Sequence, residues 1–123
     1  MPVSRISKDA IKKMMKGRVN VNDETLCVIK FYSNGCHLCH ALSSYYLDIC
    51  EEYKDVLFYA FNVDDDDEIP IKLELNGVPS ISMFKIKRGQ KAKIFNLPDP
   101  DRPNNETWFT AKQIKNFIDK ELK

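Results

Sequence analysis

Apolar residues along this chain change their spacing several times, and each change marks a new element. Ile11, Met14 and Met15 recur at three- and four-residue steps behind Ser7, which predicts a helix over about 8–16, capped by Ser7 and ended by Gly17. A fainter β signal covers Val19 to Val21. From Leu26 to Tyr32 the chain is apolar and β-rich almost throughout, the pattern of a central strand covered on both faces. Residues 36–53 return to helical spacing, with Cys39, Leu42, Tyr46, Ile49 and Tyr53 on one stripe. Val56 to Val63 reads as the next buried strand, so the two strands and the helix between them predict a right-handed βαβ unit with a parallel pair.

Further along, Pro70 near the start and Asn76-Gly77 at the end bracket a short helix containing Ile71, Leu73 and Leu75. Ser80 to Ile86 and Lys91 to Phe95 predict a hairpin across Arg88-Gly89. Residues 96–107, rich in Pro, Asp and Asn, read as loop. Thr110, with Gln113 three residues on, makes a capping box for a last amphipathic helix bearing Ile114, Phe117, Ile118 and Leu122.

Length and charge narrow the classes of function. A chain of 123 residues is expected to form a single domain with its own core, 1–23 being a helix and lead-in and 96–107 an extended loop. A net charge of +1, from 19 basic and 18 acidic residues, provides no long-range field to draw nucleic acid or an anionic bilayer. No segment is apolar for long enough to span a membrane. The start of the chain lacks the apolar stretch of a secretory signal, so the expected location is cytoplasmic, and the expected state a monomer. In a reducing compartment, four cysteines point to catalysis, metal binding or burial rather than to a disulfide framework.

Candidate chemistry concentrates where the first central strand turns through Asn34-Gly35 into Cys36-His37-Leu38-Cys39-His40. A helix start presents unpaired N–H groups and the positive end of a dipole, which favours an anion such as a thiolate at Cys36. Cysteines three apart on a helix share one face and can close a small ring that reopens by exchange. Two other readings of the same letters stand beside this one. Cys-x-x-Cys-His is also the haem-attachment pattern of c-type cytochromes, although a strand before the motif and a βαβ context after it do not suit an all-helical cytochrome. Thiolate and imidazole also suit zinc or an iron–sulfur cluster, but no second Cys or His pair exists in the chain to complete four ligands.

With these residues in view, the chain resembles thioredoxin and its glutaredoxin and disulfide-isomerase relatives over about residues 24–123. The likeness rests on Phe31-Tyr32 before Cys36-x-x-Cys39, on Asn62-Val63-Asp64 at the end of the following strand, and on Gly77-Val78-Pro79-Ser80 where the family places a cis-proline loop. It implies an α/β thioredoxin-like fold, a central mixed β-sheet flanked by helices on both faces. It further implies a protein-disulfide oxidoreductase in which Cys36 attacks and the more buried Cys39 resolves. Pro79 would be cis and face both sulfurs, while Val78 would hold the substrate backbone, with Gly35 and Leu38 completing the binding surface. Partners would be protein disulfides and an external reductant such as a thioredoxin reductase or glutathione, and no cofactor would be needed beyond a Cys36–Cys39 disulfide. A glutaredoxin-like, glutathione-dependent enzyme and a non-catalytic interaction module are the alternatives.

Three departures from the family pattern stand out. Gly35 replaces the tryptophan that thioredoxins carry before the first cysteine, leaving the nucleophile less screened and the turn more mobile. His37-Leu38 replaces Gly-Pro, and a cationic imidazole beside Cys36 would favour its thiolate and make the couple more oxidising. Lys30 stands where thioredoxins keep a buried carboxylate that takes the resolving thiol's proton. An ammonium cannot accept a proton, so Lys30 either favours the Cys39 thiolate through its charge or shuttles a proton as a desolvated amine; the ordinary alternative puts it at a strand end with its head in water.

The remaining features have plain readings. Cys50 lies roughly 16 Å along the helix from Cys39, beyond bridging distance, and both it and Cys27 read as small buried hydrophobes. The acidic run from Asp64 to Glu68 lacks the glycine and distal glutamate of a calcium loop and reads as a solvated approach to a helix start. Lys8, Lys12, Lys13, Lys16 and Arg18 have no interleaved aromatics and read as an exposed helix face. Tyr45, Tyr46, Tyr53 and Trp108 read as core or half-core anchors. The loop 96–107 is longer than relatives of this family usually carry there and is a candidate contact for a partner, with no chemistry read in it.

Overall fold

A computed structural model describes residues 3–122, so Met1, Pro2 and Lys123, which the expected domain includes, lie outside the described residues. In chain order it contains β1 (Val3–Arg5), α1 (Lys8–Met15), β2 (Thr25–Tyr32), α2 (His37–Glu52), β3 (Val56–Asn62), a 3-10 turn (Val63–Asp65), α3 (Glu68–Lys72), β4 (Ser80–Lys87), β5 (Gln90–Asn96) and α4 (Ala111–Leu122). One five-stranded sheet has the order β1-β3-β2-β4-β5. β1 and β2 run parallel to β3, while β4 runs antiparallel to β2 and to β5, which is the expected βαβ unit extended by a hairpin.

Strand alternation divides the core into two layers. Leu26 and Val28 of β2 join Leu42, Tyr46 and Ile49 of α2 and Ile114 and Ile118 of α4 on one face. Cys27, Ile29 and Phe31 join Ile11 and Met14 of α1, Phe61 of β3 and Ile69 of α3 on the other. Lys30 shares the parity of Leu26 and Val28, so its side chain is directed toward the α2 layer. The last helix starts as its letters predict: Thr110 Oγ1 accepts from Gln113 N at 3.2 Å, and Gln113 Oε1 accepts from Thr110 N at 2.9 Å.

Several boundaries differ from the sequence reading. Val19 to Val21 is not a strand; Val19 and Val21 are half-buried props on the α1 layer, and Val21 O takes one bond, from Arg88 N at 3.0 Å. The additional strand is β1, only three residues long and hydrogen-bonded in parallel to β3 at the edge of the sheet. α3 has Pro70 near its start as expected, Asp66 Oδ2 accepting from Glu68 N and Ile69 N at 3.0 and 3.3 Å, but it is over by Lys72, so Leu73 and Leu75 lie beyond it, and Glu74 follows at φ 59°. Val63 leaves β3 for the 3-10 turn.

Gly17 does more than end α1. Its φ is +80°, and a Cβ there would press into the Gln90 backbone, whose nitrogen would lie at 2.6 Å. Its carbonyl meanwhile accepts from Gly89 N at 2.9 Å. A left-handed alanine costs about 1–2 kcal/mol before any clash. Gly17→Ala should therefore lower unfolding stability by at least about 2 kcal/mol, read as a fall in the urea midpoint with unchanged slope; an unmoved midpoint would mean that the helix end and the hairpin do not approach this closely.

Candidate functional site

β2 delivers the chain to a tight turn, Cys36 N donating to Ser33 O at 3.3 Å, and α2 starts immediately after it. Cys36 is the N-cap of α2: its φ and ψ are −91° and 98°, and its Sγ accepts from Cys39 N at 3.1 Å. A backbone N–H aimed at that sulfur, at the positive end of a helix, favours it most when it carries negative charge. Cys36 is half-buried, whereas Cys39 is 1% exposed. The two are joined as a disulfide, with Cα atoms 5.3 Å apart.

The turn that aims Cys36 is tied down by a closed set of side chains. Asn34 N donates to Asp64 Oδ2 at 2.8 Å, Asp64 N to Asn62 Oδ1 at 2.9 Å, and Asn62 Nδ2 to Asn34 Oδ1 at 2.9 Å. His40 Nε2 reaches Asn34 O at 2.9 Å and, facing a carbonyl, must donate. Asn34 and His40 are positioning residues that the sequence reading did not single out. The acidic run turns out to be used locally: Asp64 holds the turn, Asp65 pairs with Arg5 at 2.6 Å, Asp66 caps α3, and Glu68 pairs with Lys12 at 2.6 Å. The basic face of α1 is thus partly spent on that run.

Lys30 does not end its strand with its head in water. It is 5% exposed, and its Nζ donates to Ser43 Oγ at 2.8 Å, with the Tyr46 and Tyr32 ring centres at 5.1 and 5.7 Å. Ser43 Oγ in turn donates to Cys39 O at 3.1 Å. Burial lowers the Lys30 pKa from 10.5 to about 8. A hydroxyl therefore links a partly desolvated amine to the backbone of Cys39.

Across the sheet, Ser80 is the register partner of Phe31, which sets Val78 and Pro79 level with Tyr32 and Ser33, at the edge from which α2 departs. The Val78–Pro79 peptide bond is cis; Pro79 is buried and Val78 half-buried. Ser80 Oγ donates to Gly77 O at 2.5 Å and closes the loop on itself. Around the cysteines, His37 is exposed and Leu38 half-buried. Gly35 is exposed, and a Cβ there would meet nothing within 4 Å. Its φ is not left-handed, so Gly35 leaves the approach to Cys36 open without being required by the turn.

Cys27 and Cys50 stay outside this cluster. Cys27 is wholly buried in the α1 layer, where burial pushes its thiol up to about 12, and Cys50 is buried in the α2 layer. Among the described residues no cluster of three or more His, Cys, Asp or Glu is arranged to hold a metal ion, and no helix is long and apolar enough to cross a membrane.

Comparison with known proteins gives this geometry a context. The family model described as Thioredoxin matches residues 9–102, so the match takes in α1 as well as the cysteine and proline motifs. Horse (Equus caballus) thioredoxin is 27% identical over 85 residues, which is 69% of this chain and 79% of that protein. In fold, the J-Trx1 fragment of ERdj5 is similar with a TM-score of 0.63 at 20% identity, covering 98% of this chain and 50% of the fragment, so the chain spans half of that longer protein. Chloroplastic thioredoxin z is similar with a TM-score of 0.67 at 20% identity, covering 98% of this chain and 94% of that one.

Proposed function

The chain belongs to the thioredoxin family of thiol–disulfide oxidoreductases, and from that premise we propose the course of exchange that its own residues support. The Cys36 thiolate attacks one sulfur of a protein disulfide; that S–S bond breaks, one substrate thiolate leaves, and a mixed disulfide joins Cys36 to the other half. The Cys39 thiolate then attacks the Cys36 sulfur, the second substrate thiolate leaves, and the Cys36–Cys39 disulfide carries away the two electrons' worth of oxidation. The observation that carries this reading is the half-buried Cys36 sulfur capping α2 while disulfide-joined to a buried Cys39 one turn on.

Other residues have supporting parts in this reading. Val78 and Pro79, at the same sheet edge, hold the substrate backbone, and Gly35 and Leu38 leave it access. His37, the first residue of α2, stands next to the attacking Cys36 and tunes its thiolate. Lys30 is a positioning residue: as an ammonium beneath the first turns of α2, tied through Ser43 to the Cys39 carbonyl, it favours the Cys39 thiolate by its charge, and its neutral fraction grows toward pH 8. Family members work without a cofactor beyond their disulfide, and the same is proposed here, with electrons supplied by a thioredoxin reductase or by glutathione. Work in a reducing compartment such as the cytoplasm belongs to this reading.

With dithiothreitol as electron source, the full chain should accelerate reduction of insulin's disulfides, and equilibration in a glutathione redox buffer should show one two-electron transition. Insulin reduction no faster than with dithiothreitol alone would overturn the proposal. Supplying glutathione in place of thioredoxin reductase separates a glutaredoxin-like enzyme from a thioredoxin-like one.

A further inference from the structure

Loop 96–107 is built rather than merely long. Asn96 Nδ2 donates to Leu73 O at 2.8 Å, and Leu97 N to Ile81 O at 2.9 Å, which fastens the loop's start to the sheet. At its far end, Asn104 and Trp108 exchange both backbone bonds at 3.0 and 2.9 Å, and Asn104 Oδ1 accepts from Glu106 N and Thr107 N. That pairing holds Trp108 at φ 68°, a conformation that a bulky residue adopts only when its surroundings impose it. Between these ends, Asp99 Oδ1 accepts from Trp108 Nε1 at 3.2 Å and Asp99 Oδ2 from Asn76 Nδ2 at 3.3 Å.

This bridge closes one side of a cavity of about 210 Å³ lined by Asn76, Gly77, Val78, Pro79, Asp99 and Trp108. Two of its walls are the residues assigned to the substrate backbone. Asp99 is exposed and receives only neutral N–H donors from Trp108 and Asn76, so its charge stays uncompensated there and two of its roughly four acceptor positions remain for a ligand. The indole beside it offers a face that also suits a cation.

We propose that this cavity is a substrate side-chain subsite in which Asp99 selects a lysine or arginine close to the cysteine under attack. The inference rests on the reading of Val78 and Pro79 as the substrate shelf. It gives the loop a task in choosing among protein disulfides.

The test uses the full chain carrying Cys39→Ser, which stops at the mixed disulfide and so reports the attack step alone. Peptide disulfides are compared in which lysine or glutamate is walked through the two positions on either side of the cysteine. At one position, lysine should react about threefold faster than glutamate, the size expected of a single solvent-exposed charge pair. The preference should shrink in 0.5 M salt, roughly a 4 Å screening length, and be lost on Asp99→Asn. Trp108, the chain's sole tryptophan, should change its emission when the lysine peptide is seated and less with the glutamate peptide. Equal rates at every position, or a preference that survives either 0.5 M salt or Asp99→Asn, would overturn the subsite. The salt comparison needs no change at Asp99, so it decides the matter even if Asp99→Asn loosens the loop. Dithiobis(nitrobenzoate) is the control: its failure to react at Cys36 would sink the redox reading itself, whereas normal reaction without peptide preference sinks only the subsite.

Discussion

Replacing Cys36 with serine should bring insulin reduction down to the rate of dithiothreitol alone, and replacing Cys39 should do the same to turnover while leaving the first step intact. The difference follows from where the two sulfurs sit. Cys36 is half-buried at the cap of α2 with a backbone N–H on its sulfur, whereas Cys39 is enclosed and meets only what is already attached to Cys36. Cys39→Ser should therefore accumulate a mixed disulfide with substrate, visible by mass spectrometry under non-reducing conditions, and Cys36→Ser should accumulate none. Because the two thiols act as one unit, the double variant should lose no more turnover than either single one. A mixed disulfide trapped on Cys39 in the Cys36→Ser protein would reverse the assignment of attacker and resolver.

Lys30→Met should make the protein more stable at neutral pH, an unusual outcome for a substitution in the middle of a central strand. Burial lowers the Lys30 pKa to about 8 from 10.5, so the fold disfavours the ammonium. Below pH 8 both folded and unfolded chains hold the proton, and the folded one bears the whole penalty, at most about 3 kcal/mol. Between pH 8 and 10.5 the unfolded chain binds more protons than the folded one, so this group's contribution to stability rises with pH; above 10.5 the penalty is gone. Methionine removes the penalty and forfeits the bond to Ser43 and the contact with the Tyr46 ring, together about 1–2 kcal/mol. Urea unfolding should show a gain of about 1–2 kcal/mol at pH 7 that disappears or changes sign at pH 10. An equal gain at both pH values would mean that the ammonium bears no burial penalty. In the same variant the pH dependence of the resolving step should move upward, and an unmoved Cys39 titration would leave Lys30 with no part in the chemistry.

Much of this could be read from letters because the signals are local. The period of Cys39, Leu42, Tyr46 and Ile49 defines α2, the continuous apolar runs define β2 and β3, and Thr110 with Gln113 marks the last helix start to the residue. β1 escaped because three residues with one apolar member have no period, and its pairing comes from β3, far along the chain. The end of α3 was misjudged because Asn76-Gly77 is the stronger stop signal in the letters, whereas the helix is over by Lys72 and Glu74 already turns to φ 59°. Of the two readings of Lys30, the letters could already have set aside the one with its head in water: a strand covered on both faces has no solvated position, and the parity of Leu26 and Val28 turns Lys30 inward. The ring of Asn34, Asn62 and Asp64 had no such signal, since side chains that meet only after folding leave no spacing to detect.

The approach of Gly17 to the hairpin tip joins parts of the chain that no shared secondary structure connects. Gly89 N and Arg88 N both donate to carbonyls of the segment that follows α1, those of Gly17 and Val21. Fraying of the first helix therefore unlatches the tip of the outermost hairpin as well, and the two open and close as one cooperative unit on the side of the molecule away from the cysteines.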